Sequence, residues 1–554
     1  MKQIDNFKEF IDHHYYYVDK SLFIETVFND PLTLFTRPRR FGKTLNMSML
    51  YYFFSNKEKD NAYLFDGLKI TEKKEIMKHQ NQYPVIFMTF KDMKRLDFNE
   101  QISQFASIIS QICINYVELR DSPYLLDHEK KIFNDYLNEN SSHTKLQDSL
   151  LNISQYLEKH YHKKVILLID EYDVPLQFAY LNDNQENNYY NKMSHFMSNV
   201  LSSSLKTNDA LERGVLTGCL RIAKESIFTG LNNFSVYSIF NKGLSSLHFG
   251  FTQKEVDKLL NDYHLEEYQD KMKEWYDGYL FGNTEIYNPW STLKFVNQMV
   301  TENDYQPQSY WANTSGNDIV YQYIKKSNET MKQEFEDLVC GKSIMKTITQ
   351  ELTYRDMDDI NHIYSFLLYT GYLKVKDYAY NKDNEIISDT YQLVIPNKEV
   401  QTIYVKQFQN YFNDYTNDKK EEFVEALRNE NVEKANDILN DILSHSISYY
   451  DNYESFYHGF MMGLLSGYSI VSNRESGSGR FDKGIKPNHI AKKYIVIECK
   501  KANSLALLIQ ESNNAVQQII DKKYIEGIKN EGYLNVIGYG ISFYEMSCWI
   551  SIVK

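Results

Sequence analysis

The chain has 554 residues, more than one core can organise, so three or four packed units are expected. Apolar residues at 42% against charged residues at 24% exclude a disordered chain, and a net charge of −13 argues against a protein that coats nucleic acid indiscriminately. Five scattered cysteines with no C-x-x-C pair exclude a disulfide framework and a zinc knuckle. No run approaches the roughly 20 apolar residues of a bilayer span, and the first residues lack a signal-peptide core, so a cytoplasmic location is expected.

In chain order, the apolar run PLTLF (31–35) predicts a strand and TLNMSMLYYFF (44–54) a helix. Between them lies R-P-R-R-F-G-K-T (37–44), which ends like a phosphate-binding loop but begins with Arg37 where the usual pattern has glycine. Strand, tight loop and helix are the context such a loop needs, because backbone N–H groups and a helix N-terminus must converge on phosphate. Gly42 would let the backbone approach, Lys43 would reach the phosphates and Thr44 would help hold Mg2+. Arg37 adopts positive φ less cheaply than glycine, so the loop is expected to turn differently there, with Pro38 fixing one dihedral. A chance GKT before a helix is the bland alternative.

YPVIFMTF (83–90) is another strand-like run, and KKVILLIDEYDVPL (163–176) drives five apolar residues into Asp170 and Glu171. A buried parallel strand ending in acids is where an open α/β sheet places a nucleotide site. Asp170 would bind Mg2+ through water and Glu171 would polarise the attacking water; a polar loop after a core strand is the alternative. GVLTG (214–218) and FSVYSIF (234–240) complete five strands, a P-loop sheet of the additional-strand type.

Farther on, Thr252 with Glu255 reads as a capping box, and Pro289 is placed to begin a helix. SFLLYTGYLKV (365–375) and YQLVIPNKEV (391–400) suggest a helix and short hairpin of winged-helix type. With no basic recognition helix evident in this acidic stretch, domain packing is favoured over DNA binding. Residues 401–450 are polar and helical in pattern, a connecting bundle.

Residues 471–554 carry 12 Lys and Arg against 8 Asp and Glu, a locally basic stretch where a polyanion would bind. In KKYIVIECKKA (492–502) strand alternation puts Glu498 and Lys500 on one face and Cys499 on the other. Asp482, in NRESGSGRFDKGI (473–485), lies on a polar strand able to form a hairpin with it. Two carboxylates and a lysine so placed would bind Mg2+ or Mn2+ and orient water against a phosphodiester. E-x-K alone is weak, because alternating charges on an exposed strand are common. Glu475, in the glycine-rich turn, is a less suitable rival acid.

YYVDKSLFIE (16–25), TRPRRFGKT (36–44), LLIDEYDVPL (167–176), LTGCLRIAKESIFTGLNNF (216–234) and FGFTQKEV (249–256) resemble a microbial family of AAA-ATPase-like proteins with a C-terminal PD-(D/E)XK nuclease-like domain. In that family the loop reads R-P-R-R-F-G-K-[ST], so Arg37 is the family's form. The resemblance implies an α/β multidomain chain: a P-loop (ASCE/AAA-like) ATPase over 1–248, a helical and winged-helix-like region over 249–400, a helical connector over 401–450, and a restriction-endonuclease-like α/β domain over 451–554. It implies ATP as nucleotide and places Arg39, Arg40 and Phe41 in the nucleotide loop, where the two arginines could meet phosphate or pair with acids. Arg221 becomes a γ-phosphate sensor, or a salt-bridging surface arginine. Asp19 and Lys20 lie in a family motif without derivable chemistry. Asp482, Glu498 and Lys500 match the nuclease pattern, Glu454 resembles its outer metal-site acid, and Gln518 and Tyr524 match supporting positions near nucleic acid.

Three functions follow in order: an ATP-regulated nuclease acting on nucleic acid, DNA first, in genome defence or mobile-element biology; a nucleotide-driven switch or scaffold whose nuclease-like domain binds without cutting; and an ATPase acting on protein partners. No membrane partner is implied, and homo-oligomerisation stays open.

Overall fold

Five short apolar runs become the strands of one sheet in the computed structural model, which describes residues 5–184, 186–206, 208–222, 234–311, 320, 323, 329–339, 341–380, 386–444, 457, 460–461, 464–465, 468–476, 479–487 and 492–553. They are β1 (Leu32–Thr36), β2 (Val85–Thr89), β3 (Val165–Asp170), β4 (Leu211–Gly218) and β5 (Ser235–Tyr237). The order is β2-β3-β4-β1-β5, and each neighbouring pair is parallel. Every residue of β3 is buried, as its unbroken apolar run requires of a strand covered on both faces. Because the strands are parallel, the loop after β1 and the acids ending β3 emerge on the same side of the sheet, with β4 between them.

The chain forms two compact units, 1–314 with 345–400 and 315–344 with 401–554. The first holds the parallel sheet and most of the region expected to stand apart as 249–400. There β6 (Phe251–Thr252), β7 (Tyr279–Phe281) and β8 (Thr284–Tyr287) form a small sheet in the order β6-β8-β7. The capping box forms, Glu255 accepting from the Thr252 N–H at 2.8 Å. Pro289 begins the helix Pro289–Glu302 behind the Asn288 cap. The helix Ile360–Thr370 leads into the antiparallel hairpin β10 (Lys374–Tyr380) and β11 (Ile386–Val394), with β9 (Ile344–Thr347) beside β11.

In the second unit β12 (Ser469–Ser476), β13 (Gly479–Lys486), β14 (Tyr494–Lys501), β15 (Val536–Tyr544) and β16 (Ser547–Ile552) are ordered as numbered. Only β14 and β15 run parallel. One sheet face packs Ile495, Ile497 and Ile541 against Phe423, Leu427, Leu439 and Leu443. These four come from the helices Lys398–Arg428 and Val432–Ser444, so the stretch expected as a connector is part of the second unit's core. The opposite face packs Tyr494 and Val496 against Ile519, Tyr524 and Ile528 of the helices Leu508–Asp521 and Tyr524–Asn530.

Candidate active sites

The turn after β1 takes left-handed backbone at Arg40 (φ 70°) and Gly42 (φ 82°), not at Arg37. Arg37 has another task. Its guanidinium is fully buried and donates to the carbonyls of Thr36 (2.8 Å), Tyr237 (2.7 Å) and Ser245 (3.0 Å), between the Phe249 and Phe281 rings. Burial pulls its pKa down to about 9. It ties the end of β1 to the end of β5, which a glycine cannot do.

Lys43 and Thr44 open the helix Lys43–Phe54 behind Gly42. The Lys43 ammonium points back into the loop, donating to the carbonyls of Arg37 (3.0 Å) and Pro38 (2.9 Å), with the Cys219 sulfur at 3.9 Å. Thr44 donates to Asp170 at 2.7 Å across 126 residues of sequence, and Thr217 donates to the other Asp170 oxygen. Burial raises the Asp170 pKa against the pull of these two hydroxyls and Lys43. Glu171 has left-handed backbone (φ 54°), and its pKa is raised by burial and then by the Asp170 charge. Arg39 donates to Gln177 at 2.6 Å, and Arg40 lies 4.8 Å from the centre of the Trp290 ring. Phe41 is buried against Tyr279 and Phe281. Arg221 is ion-paired with Glu351 at 2.9 Å.

Three residues at this site escaped the sequence reading. Thr217 positions Asp170. Asp173, last of the D-E-Y-D run, accepts the N–H groups of Cys219 (2.9 Å) and Leu220 (3.1 Å) and so fixes the turn after β4. Cys219 meets Lys43. The third acid of D-E-Y-D was a signal for Asp173; nothing local marks Thr217 or Cys219. Asp19 accepts from the Ser21 and Lys69 N–H groups, each at 2.8 Å, and buried Lys20 reaches Glu255 (2.7 Å) and the Leu247 carbonyl (2.8 Å). Both are positioned as structural ties.

In the second unit the β13–β14 register sets Lys483 opposite Ile497, which places Asp482 opposite Glu498 at the next step. The Asp482 N–H donates to Glu498 (3.2 Å) and the Cys499 N–H donates to Asp482 (2.8 Å). Gln518 donates to the remaining Glu498 oxygen and is hydrogen-bonded to Tyr524. Glu498 is nearly buried, and its pKa is pushed up to about 8, by desolvation first and Asp482 second, while the Lys500 charge opposes the rise. Cys499 is in the opposite core, as alternation requires. Glu454 lies outside the described residues. Glu475 is on β12, not on the strand paired with β14, and its side chain is outside the described part. Among the described residues no group of three acids, histidines or cysteines is gathered for a metal. The described donor set is the Asp482–Glu498 pair, whose carboxyl oxygens suit a hard divalent cation that displaces the Glu498 proton.

The fold and these sites define a two-unit α/β protein: a parallel sheet with a GKT loop facing strand-end acids, and a mixed sheet carrying paired carboxylates with a lysine. Residues 2–228 match the family described as "Predicted AAA-ATPase", and residues 452–552 match the PD-(D/E)XK nuclease superfamily. The chain thus carries an AAA-ATPase-like region followed by a C-terminal region of the PD-(D/E)XK nuclease superfamily. It is 25% identical over 315 residues to an uncharacterized protein in the vnfD 5' region of Azotobacter chroococcum mcd 1, a match covering 54% of this chain. The match spans 51% of that relative's length. No solved structure matches the chain. Among the described residues no helix is long and apolar enough to cross a membrane.

Proposed function

We propose that the protein binds and hydrolyses ATP in its first unit and cuts nucleic acid, DNA first, with its second. One observation supports this most: in each unit the sheet gathers complementary groups from separate motifs, Thr44 with Asp170 and Asp482 with Glu498 and Gln518.

In the first unit Lys43 exchanges its loop carbonyls for the β- and γ-phosphates, joined by loop N–H groups with Arg39, Arg40 and Phe41 shaping the turn. Thr44 and Asp170 would hold the nucleotide's Mg2+, which supplies charge neutralisation at the phosphates. Glu171 orients the attacking water, and Arg221 reaches the γ-phosphate once released from Glu351. In the second unit Asp482 and Glu498, completed by Glu454, would hold Mg2+ or Mn2+, which supplies Lewis-acid polarisation of the phosphodiester. Lys500 stabilises charge developing at the phosphate. Gln518, steadied by Tyr524, holds the Glu498 carboxylate in place and lies near the nucleic acid backbone. Domains divide as 1–248, 249–400, 401–450 and 451–554 by function, with cytoplasmic genome defence or mobile-element biology as the setting.

The test is a cleavage assay on supercoiled, linear and single-stranded DNA and on RNA, with Mg2+ or Mn2+, with and without ATP. Cutting lost in Asp482→Asn, together with ATP turnover lost in Lys43→Ala, supports the reading. ATP hydrolysis without cutting under any condition would leave a nucleotide-driven switch in its place.

A further inference from the structure

The side chain of Arg40 lies over an aromatic ring. Its guanidinium lies 4.8 Å from the centre of the Trp290 indole, and the Lys294 ammonium, one turn along the same helix, lies 4.8 Å from that ring too. Trp290 is only half-buried, yet its indole Nε1–H is buried and has no partner among the described residues. The backbone that carries Arg40 is left-handed, a conformation an arginine keeps only when its surroundings hold it. Burial lowers the Arg40 pKa, and the charges of Asp5 and Glu171 counter that shift. The Asp5 charge also acts on Asp170.

Phosphate recognition needs N–H groups and cations, which Lys43 and the loop backbone already offer. It has no use for a half-exposed indole stacked with a guanidinium. Flat π-surfaces of this kind recognise nucleobases, whose faces stack on aromatic rings and on arginine planes alike. We infer that Trp290, held with Arg40 and Lys294 at the loop's outer edge, forms the platform on which the base of the bound nucleoside triphosphate stacks. Base recognition is then built by the helix that follows β8 rather than by the parallel sheet. The inference rests on the phosphate-loop reading of residues 37–44.

The full-length chain would be titrated calorimetrically with Mg-ATP, Mg-UTP and inorganic tripolyphosphate, which carries the phosphates without a base. Trp290→Ala should weaken ATP by about tenfold, the scale of one base–aromatic stack, and narrow the preference for ATP over UTP. Tripolyphosphate affinity should stay within about twofold, since no stack is lost, and Trp290→Phe should retain most of the ATP affinity. Equal weakening of ATP and tripolyphosphate would overturn the inference, leaving Trp290 as a brace for the loop; so would unchanged ATP affinity. Lys43→Ala separates the two levels. If it leaves ATP and tripolyphosphate binding untouched, the phosphate-loop reading itself fails and the base platform falls with it.

Discussion

Burial and the neighbouring Asp482 push Glu498 from the ordinary 4.5 up to about 8, so its carboxyl holds its proton more tightly in the folded chain than in the unfolded one. Its stabilising contribution is therefore complete below about pH 4.5 and disappears as pH climbs through about 8. The melting temperature of the second unit should fall over that window, and Glu498→Gln should flatten the fall. Mg2+ or Mn2+ should restore more stability at pH 8 than at pH 6, because a cation must displace the proton. Parallel pH profiles for wild type and Glu498→Gln, followed by scanning calorimetry, would remove the argument. In the first unit, Arg37→Gly restores the usual phosphate-loop pattern yet strips donors from three carbonyls. At about 1–3 kcal/mol for each buried group left unpaired, it should lower stability by about 3 kcal/mol or more and gain no nucleotide affinity. Urea melts with and without ATP check both halves. Glu171→Gln should retain ATP binding and lose about 100-fold or more in turnover.

The elements deliver these residues through backbone contacts. Gly540, opposite Glu498 on β15, lets the helix Leu508–Asp521 approach so closely that an added Cβ would sit 2.2 Å from the Ser512 carbonyl oxygen. That approach brings Gln518 onto Glu498. Gly540→Ala should lift the helix, cost about 1–3 kcal/mol and impair cutting while leaving ATP hydrolysis alone; thermal melts and paired activity assays decide it. On the far edge, Asn440 donates to the Cys548 carbonyl and accepts its N–H, and Asn436 accepts the Ile550 N–H. Two asparagines one helical turn apart stand in for a missing strand and close the β16 edge against pairing with another chain. The double variant Asn436→Ala, Asn440→Ala should self-associate with rising concentration in light scattering; a monodisperse variant would show that the edge needs no such cover.

At the scale of the whole molecule the two candidate sites lie in separate units, so, on the proposed function, Asp482→Asn should hydrolyse ATP at close to the wild-type rate. Much of this was legible from sequence because it is local. Apolar runs gave the strands, Thr252 and Glu255 the capping box, and alternation placed Glu498 and Lys500 together, each rule acting over a few residues. Three-dimensional packing decided the rest. The strand order carries Thr44 to Asp170 across 126 residues, Arg37 finds its acceptors on β5 and beyond, and the polar stretch 401–444 turns its apolar stripe into the second core. A motif of adjacent residues is written in the order of the chain. A hydrogen bond between distant segments depends on sheet order and helix approach, which no local pattern records.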